Sequence, residues 1–133
     1  MTDIDTIMGM LSCDREESVQ EEGRKLAKNI ESIGAFTQPR SIHFNENVWD
    51  NCALILSERT DQELIRYSEE LLMWIQDLKW PGARCIFNRL KIFQGEEKDW
   101  LSGDIDTYLK YACCEENRSW KNNLQELRNC LNV

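Results

Sequence analysis

An all-α fold of stacked antiparallel helical hairpins, with about seven helices in one domain spanning residues 1–133, is the architecture this chain predicts. Three observations carry that expectation. Apolar residues recur at intervals of three and four along most of the sequence, the spacing that lines one face of a helix. No stretch alternates apolar and polar residues for long enough to argue for a strand. Only two prolines and six glycines interrupt the chain, so helix breakers are scarce. A chain of 133 residues buries roughly two-thirds of the surface its unfolded form exposes, and one core suffices without disulfide or metal staples. With 41% hydrophobic and 30% charged residues, the composition is that of a globular protein and not of a disordered one.

Ile4, Ile7, Met8 and Leu11 fall at i, i+3, i+4 and i+7, which predicts a first helix stopping near Ser12, with Asp3 and Asp5 on its outer face. Asp14 followed by Glu17 has the pattern of an N-cap with an N3 carboxylate. It opens a second helix that turns Val19, Leu26, Ala27, Ile30 and Ile33 inward until Gly34 ends it. From Ala35 to Asn45 no period is kept; Pro39 extends Gln38, and Phe36, Ile42 and Phe44 pin a loop to the core. A third helix from about Asn45 carries Val48, Trp49, Cys52, Ala53 and Leu56. Thr60 with Glu63 is a capping box for a fourth, whose Leu64, Tyr67, Leu71, Leu72 and Ile75 face the core.

Trp80-Pro81-Gly82 then breaks the chain, because proline blocks an old helix and fits the first turn of a new one. The fifth helix runs from Ala83 to about Gln94 with Gly95 as its C-cap. The sixth holds Leu101, Ile105, Tyr108, Leu109 and Ala112, with Gly103 as a candidate break. An elbow of Glu115, Glu116 and Asn117 leads to the seventh, with Trp120, Leu124, Leu127 and Leu131 on one stripe.

Three segments share a grammar of apolar helix, polar elbow with an acid, and second amphipathic helix: Ile4–Leu11 with Asp14, Leu71–Ile75 with Asp77, and Ile105–Ala112 with Glu116. That grammar resembles HEAT- or armadillo-type repeats, in which stacked neighbours supply the apolar surface a lone hairpin lacks. A closer resemblance runs through Val48-Trp49-Asp50-Asn51-Cys52-Ala53, Leu56-Ser57, Asp61, Glu63-Leu64, Leu71-Leu72 and Trp74-Ile75-Gln76-Asp77, closing on Trp80-Pro81-Gly82-Ala83. These residues resemble an uncharacterised bacterial domain family of unknown function with a Trp-x-Gln-Asp-x-x-Trp-Pro-Gly signature, over roughly residues 45–93. Lys79 stands where the family pattern has asparagine, and Ser68 where it has an apolar residue. The resemblance implies a compact helical, repeat-like fold and no established activity.

Net charge is −8, yet residues 79–94 carry Lys79, Arg84, Arg89 and Lys91 with no acid. An acidic body disfavours nucleic acid, which needs a continuous basic surface. Met1 opens neither a basic n-region nor an apolar h-region, and no apolar run approaches the ~18 residues that span a bilayer, so a cytoplasmic protein with no membrane partner is expected. The six cysteines (Cys13, Cys52, Cys85, Cys113, Cys114 and Cys130) then read as reduced, mostly buried thiols. With His43 the only histidine, neither a metal site nor a cofactor motif is expected. Paired acids such as Glu21-Glu22 and Glu69-Glu70 diverge on a helix and read as solvated faces.

Two constellations remain. Trp74 and Trp80 bracket Asp77 at the Pro81-Gly82 corner, either as a pocket with an aromatic wall and a carboxylate base, or as a structural joint in which Asp77 caps the next helix. The joint is the reading adopted. On the basic helix, Arg84, Asn88 and Lys91 share one side beyond Trp80, and Trp and Arg are the residue types that dominate interface energetics. The functional expectation is a non-enzymatic module that offers a protein partner an acidic surface, with Trp80 and Arg84 near the edge of the contact patch, Asn88 and Lys91 as further partner-binding residues, and no catalytic residue. An immunity-type protein that neutralises a basic toxin is its concrete form; a small-molecule or nucleic-acid-base binder at the corner is the competing class.

Overall fold

The computed structural model describes residues 3–38, 46–112 and 115–132. Its helices are α1 (Ile4–Met10), α2 (Glu17–Ala27), α3 (Trp49–Ser57), α4 (Asp61–Ile65), α5 (Ser68–Trp74), α6 (Ala83–Leu90), α7 (Gly95–Tyr111) and α8 (Arg118–Leu131). Short 3-10 turns occupy Ile33–Phe36, Glu46–Val48 and Glu115–Asn117, and no strand occurs among the described residues. The all-α expectation is met with eight helices in place of about seven. The extra one arises because the predicted fourth helix divides at Tyr67, whose φ of −115° and ψ of 23° leave the helical region.

Sequence neighbours pair at both ends of the chain, α1 with α2 and α7 with α8. Gly23 lets the first pair close, since a Cβ there would lie 2.9 Å from the Cβ of Met10. The middle member of the predicted repeat departs from a hairpin: α6 packs mainly on α3 and only lightly on α5. One apolar core draws on every helix, with Leu11, Phe36, Leu56, Trp74, Phe87 and Leu127 at 2% exposure or less.

Several boundaries differ from the sequence reading, each for a nameable reason. Asp14 does not cap α2; its carboxylate accepts from Asn47 Nδ2 at 2.9 Å, and Glu16 occupies the N-cap position without a side-chain bond. α2 stops at Ala27, short of Ile33, because Arg59 Nη2 donates to the carbonyls of Ala27 and Ile30 at 2.8 Å each. Those oxygens would otherwise belong to a continuing helix. Gly95 does not close α6, which ends at Leu90; with φ of +65° it opens α7, and α7 runs unbroken through Gly103. Asp3, read as part of an outer face, caps α1 by accepting from Thr6 N at 2.8 Å, and the Thr6 hydroxyl, followed by that backbone bond, lowers its pKa. The Thr60/Glu63 capping box forms as expected. The anchors Pro39, Ile42 and Phe44, together with His43, Cys113 and Cys114, lie outside the described residues.

Buried Asn51 knits the first half together. Its Nδ2 donates to Leu11 O at 2.7 Å and Gln20 Oε1 at 2.9 Å, and its Oδ1 accepts from Arg24. A buried amide with both ends engaged resists replacement, because an apolar substitute strands its partners. Among the described cysteines, Cys52 is buried, Cys85 and Cys130 are half-buried, and Cys13 is exposed in the turn after α1, so "mostly buried" does not hold for this set. Burial pushes the Cys52 thiol up to about 12, which keeps it protonated as a small hydrophobe.

Gly82 is the tightest point of the fold. Its φ is +78°, and a Cβ there would sit 2.8 Å from Ala53 Cβ and from Trp49 O, and 2.9 Å from Trp74 Cζ2. Left-handed strain and overpacking act together, so Gly82→Ala is expected to lower unfolding free energy by about 2–4 kcal/mol in a urea titration. Gly103→Ala, at a site with open space around it, should change it by less than about 1 kcal/mol and in the stabilising direction.

Candidate functional site

The corner is a run of turns between α5 and α6. Trp80 N donates to Asp77 O at 3.0 Å and Ala83 N to Trp80 O at 3.1 Å. With Pro81 and Gly82 as its central residues, and Gly82 at φ 78° and ψ −14°, the second of these is a type II turn. Pro81 therefore sits at the turn's second position, not in the first turn of α6, which starts at Ala83. Asp77 does not cap α6 either: its Oδ1 accepts from Lys79 N at 2.9 Å, closing an Asx turn two residues on.

Trp74 is wholly buried, and its indole N–H donates to Pro81 O at 3.0 Å, holding the turn against the end of α5. Trp49 stands between the other two tryptophans, edge-on to Trp74 at 6.3 Å and to Trp80 at 5.9 Å. The aromatic cluster is thus centred on Trp49, which the sequence reading had placed only in the core, and Asp77 lies outside that stack. α8 supports the corner from behind. Trp120 Nε1 donates to Leu72 O at 2.9 Å and Asn123 Nδ2 to Ile75 O at 2.7 Å, satisfying carbonyls freed at the end of α5.

Along α6 the cations divide into two kinds. Arg89 turns inward: Nη2 meets Asp61 Oδ1 at 2.6 Å and Arg59 O at 2.8 Å, and its guanidinium lies 5.2 Å from the Phe93 ring centre. Asp61 in turn accepts from Gln94 N at 3.0 Å just before α7, so α4, α6 and α7 meet at one ion pair. Arg84, Asn88 and Lys91 face outward and are exposed. Arg84 and Lys91 each lie 5.9 Å from the ring centre of Phe87, so their charges are no more than about 12 Å apart.

Arg24, Lys28, Arg59, Arg118 and Arg128 all pair with carboxylates, as Arg89 does. Lys79, Arg84, Lys91 and Lys98 have no ion pair among the described residues, and neither do Arg15, Lys25, Arg66, Lys110 and Lys121; what sets the first four apart is that they follow one another along one stretch of chain. Trp80, half-buried against Trp49, stands at the N-terminal end of this stretch. Of the residues expected at a partner surface, Arg84, Asn88 and Lys91 are exposed along α6 and its C-cap, and Trp80 is half-buried in the turn before it. Of the cations on this stretch, Arg89 alone is paired with an acid of the preceding helices, Asp61 of α4.

Among the described residues no three His, Cys, Asp or Glu side chains converge as metal ligands, and no helix is long and apolar enough to cross a membrane. Of the paired acids, Glu21, Glu22, Glu69 and Glu70 are exposed. A protein-family model described as Domain of unknown function (DUF5071) matches residues 46–130, from the turn before α3 to the last turn of α8. No match was found among curated proteins or solved structures.

The inward and outward cations separate in a stability measurement. Arg89→Met leaves Asp61 unpaired and should cost about 2–3 kcal/mol in chemical denaturation, whereas Arg84→Met should stay within about 0.5 kcal/mol of the parent. Loss of the Asx turn in Asp77→Ala should cost about 1 kcal/mol; an unshifted midpoint would mean that the Asp77–Lys79 bond contributes nothing to the corner.

Proposed function

The chain belongs to the DUF5071 family, whose function is unknown, and from that premise we propose that it is a non-enzymatic protein-interaction module whose contact surface is the outer side of α6, formed by Trp80, Arg84, Asn88 and Lys91. The observation that carries this reading is a local excess of unpaired cations beside a half-exposed tryptophan, on a protein of net charge −8. An acidic chain has carboxylates available to neutralise such a stretch, and at Arg89 it does so. Where it does not, the positive surface is free for an outside partner, and charges placed this way set encounter rate and partner choice more than raw affinity.

The competing reading, a small-molecule or nucleic-acid-base site at Trp74, Asp77 and Trp80, draws little support from the geometry. Trp74 has no exposed surface, its N–H is engaged by Pro81, and Asp77 is committed to a local turn. These contacts support a joint that sets the angle between α5 and α6. The immunity-type form of the proposal has its own support in the net charge of −8 and in exposed acids such as Glu21 and Glu22, which would draw in a basic toxin. In that form the cationic partner meets the acidic outer faces and not α6. The four unpaired thiols among the described residues favour a reducing, cytoplasmic setting.

Co-purification of tagged protein from its native host tests both forms. Partner recovery should fall at least tenfold in an Arg84→Glu/Lys91→Glu variant and hold in Arg118→Glu, and the captured complex should weaken between low and moderate salt. Recovery abolished by Glu21→Lys/Glu22→Lys, with the α6 variant behaving as the parent, moves the contact surface to the acidic face.

A further inference from the structure

Beyond the end of α6 the same side of the molecule opens into a depression of about 420 Å³, bounded by Lys91, Ile92, Phe93, Lys98 and Leu131. We propose that this groove receives an acidic amphipathic segment of the partner protein, with one bulky apolar side chain seated over Ile92, Phe93 and Leu131 while its carboxylates reach Lys91, Lys98 and, along α6, Arg84. The inference rests on the interaction reading above and deepens it by naming the partner's chemistry.

Three features converge on that occupant. Ile92 is 59% exposed, whereas Phe93 and Leu131 beside it are 2% exposed, so the rim is apolar and open while the floor is already part of the core. An incoming side chain would cover the rim without repacking the floor. Lys91 and Lys98 stand at the groove with no ion pair among the described residues, although Glu96 and Glu97 lie close by in sequence at the start of α7. Those two acids occupy the first turn, where the helix dipole favours negative charge. A cationic segment would meet uncompensated lysines at this groove, and a neutral apolar one would have to desolvate them, so charge complementarity selects an acidic occupant.

The run of cations also sets the shape of the occupant. Arg84 on α6 and Lys91, its C-cap, are seven residues apart, and Lys98 follows on α7. A small carboxylate can meet one of these cations, whereas a peptide lying along α6 can place successive carboxylates against Arg84 and Lys91, which are no more than about 12 Å apart. Helix-in-groove recognition, with apolar anchors on one side of the ligand and charges flanking them, has this form.

The test uses the full chain and a fluorescein-labelled amphipathic peptide of glutamate and leucine, read by anisotropy, with a lysine-leucine peptide of the same pattern and a free fatty acid as comparators. The glutamate-leucine peptide should bind at low salt, weaken at moderate salt, and lose about tenfold in affinity in Lys91→Glu/Lys98→Glu and several-fold in Ile92→Ser. Equal binding of the lysine-leucine peptide overturns the proposal, as does affinity unchanged in the double variant or no binding up to about 1 mM. Displacement of the peptide by the fatty acid at equal concentration would assign the groove to an acyl carboxylate instead. A co-purified partner that is lost in Arg84→Glu/Lys91→Glu but indifferent to Lys98→Glu and Ile92→Ser retires the groove while the α6 surface stands.

Discussion

Gly82 faces the backbone of α3 at a distance that admits no side chain, and the orientation of α6 follows from that approach. With a hydrogen atom toward Ala53 and the Trp49 carbonyl, the type II turn can fold flat against α3, and Trp74 reaches under it to bond the Pro81 carbonyl. Proline at the second position presets its own φ, and glycine at the third adopts the positive φ the turn requires, so the corner is encoded by two adjacent residues. α6 therefore leaves the turn lying on α3, its most extensive neighbour, and not folded back along α5. A helix set at that angle has one apolar side buried through Ala83, Ile86, Phe87 and Leu90, and its opposite side exposes Arg84 and Asn88.

Charge inside the molecule is arranged as a relay. Arg59 gathers the carbonyls at the end of α2, its own carbonyl accepts from Arg89, Arg89 pairs with Asp61, and Asp61 accepts from Gln94 N. Four chain segments are tied by groups that are mostly shielded from water, where each bond is worth more than on the surface and each missing partner costs more. One turn away on the same helix, Arg84 and Lys91 have no such partners. The difference between Arg89 and these two lies in which way the helix faces, and that is set at the corner.

Local signals were legible in the sequence and distant ones were not. The first apolar stripe, the Thr60/Glu63 capping box and the Pro81-Gly82 break are each written within a few residues and each appears in the fold. The end of α2 was misplaced because the group that stops it, Arg59, lies about thirty residues further along. Asp14 carried a cap pattern, but Asn47 claims its carboxylate. Division of the fourth helix at Tyr67 reflects packing of that ring close to Gly34, with Ser68 bonded to Asp104 of α7, and neither contact leaves a trace in local periodicity. Gly95 was ambiguous in principle, since a positive φ suits the residue after one helix as well as the residue before the next. For the candidate surface, the spacing of Arg84, Asn88 and Lys91 was enough to place them together; that Arg89 belongs to the interior needed Asp61 in space.

An acidic body with a positive stretch along α6 presents opposed fields to a partner, and that bears on how the partner is chosen. Within a Debye length, about 8–10 Å at physiological salt, an approaching molecule senses the net charge of −8 together with the local positive stretch. Close in, contacts at α6 are governed by Arg84, Lys91 and Lys98. Net repulsion slows the approach of a partner that is acidic throughout without removing its contacts at the positive side, and a uniformly basic one is attracted but mismatched there. The molecule best served by both fields carries its acidic segment as a local feature on a surface that is otherwise neutral or basic. Such a partner is oriented during approach, with its acidic segment turned toward the α6–α7 connection before any apolar contact forms. Orientation by opposed fields needs neither a catalytic group nor a bound ion, and on the proposed surface it would rest on the positions of Arg84, Lys91 and Lys98 alone.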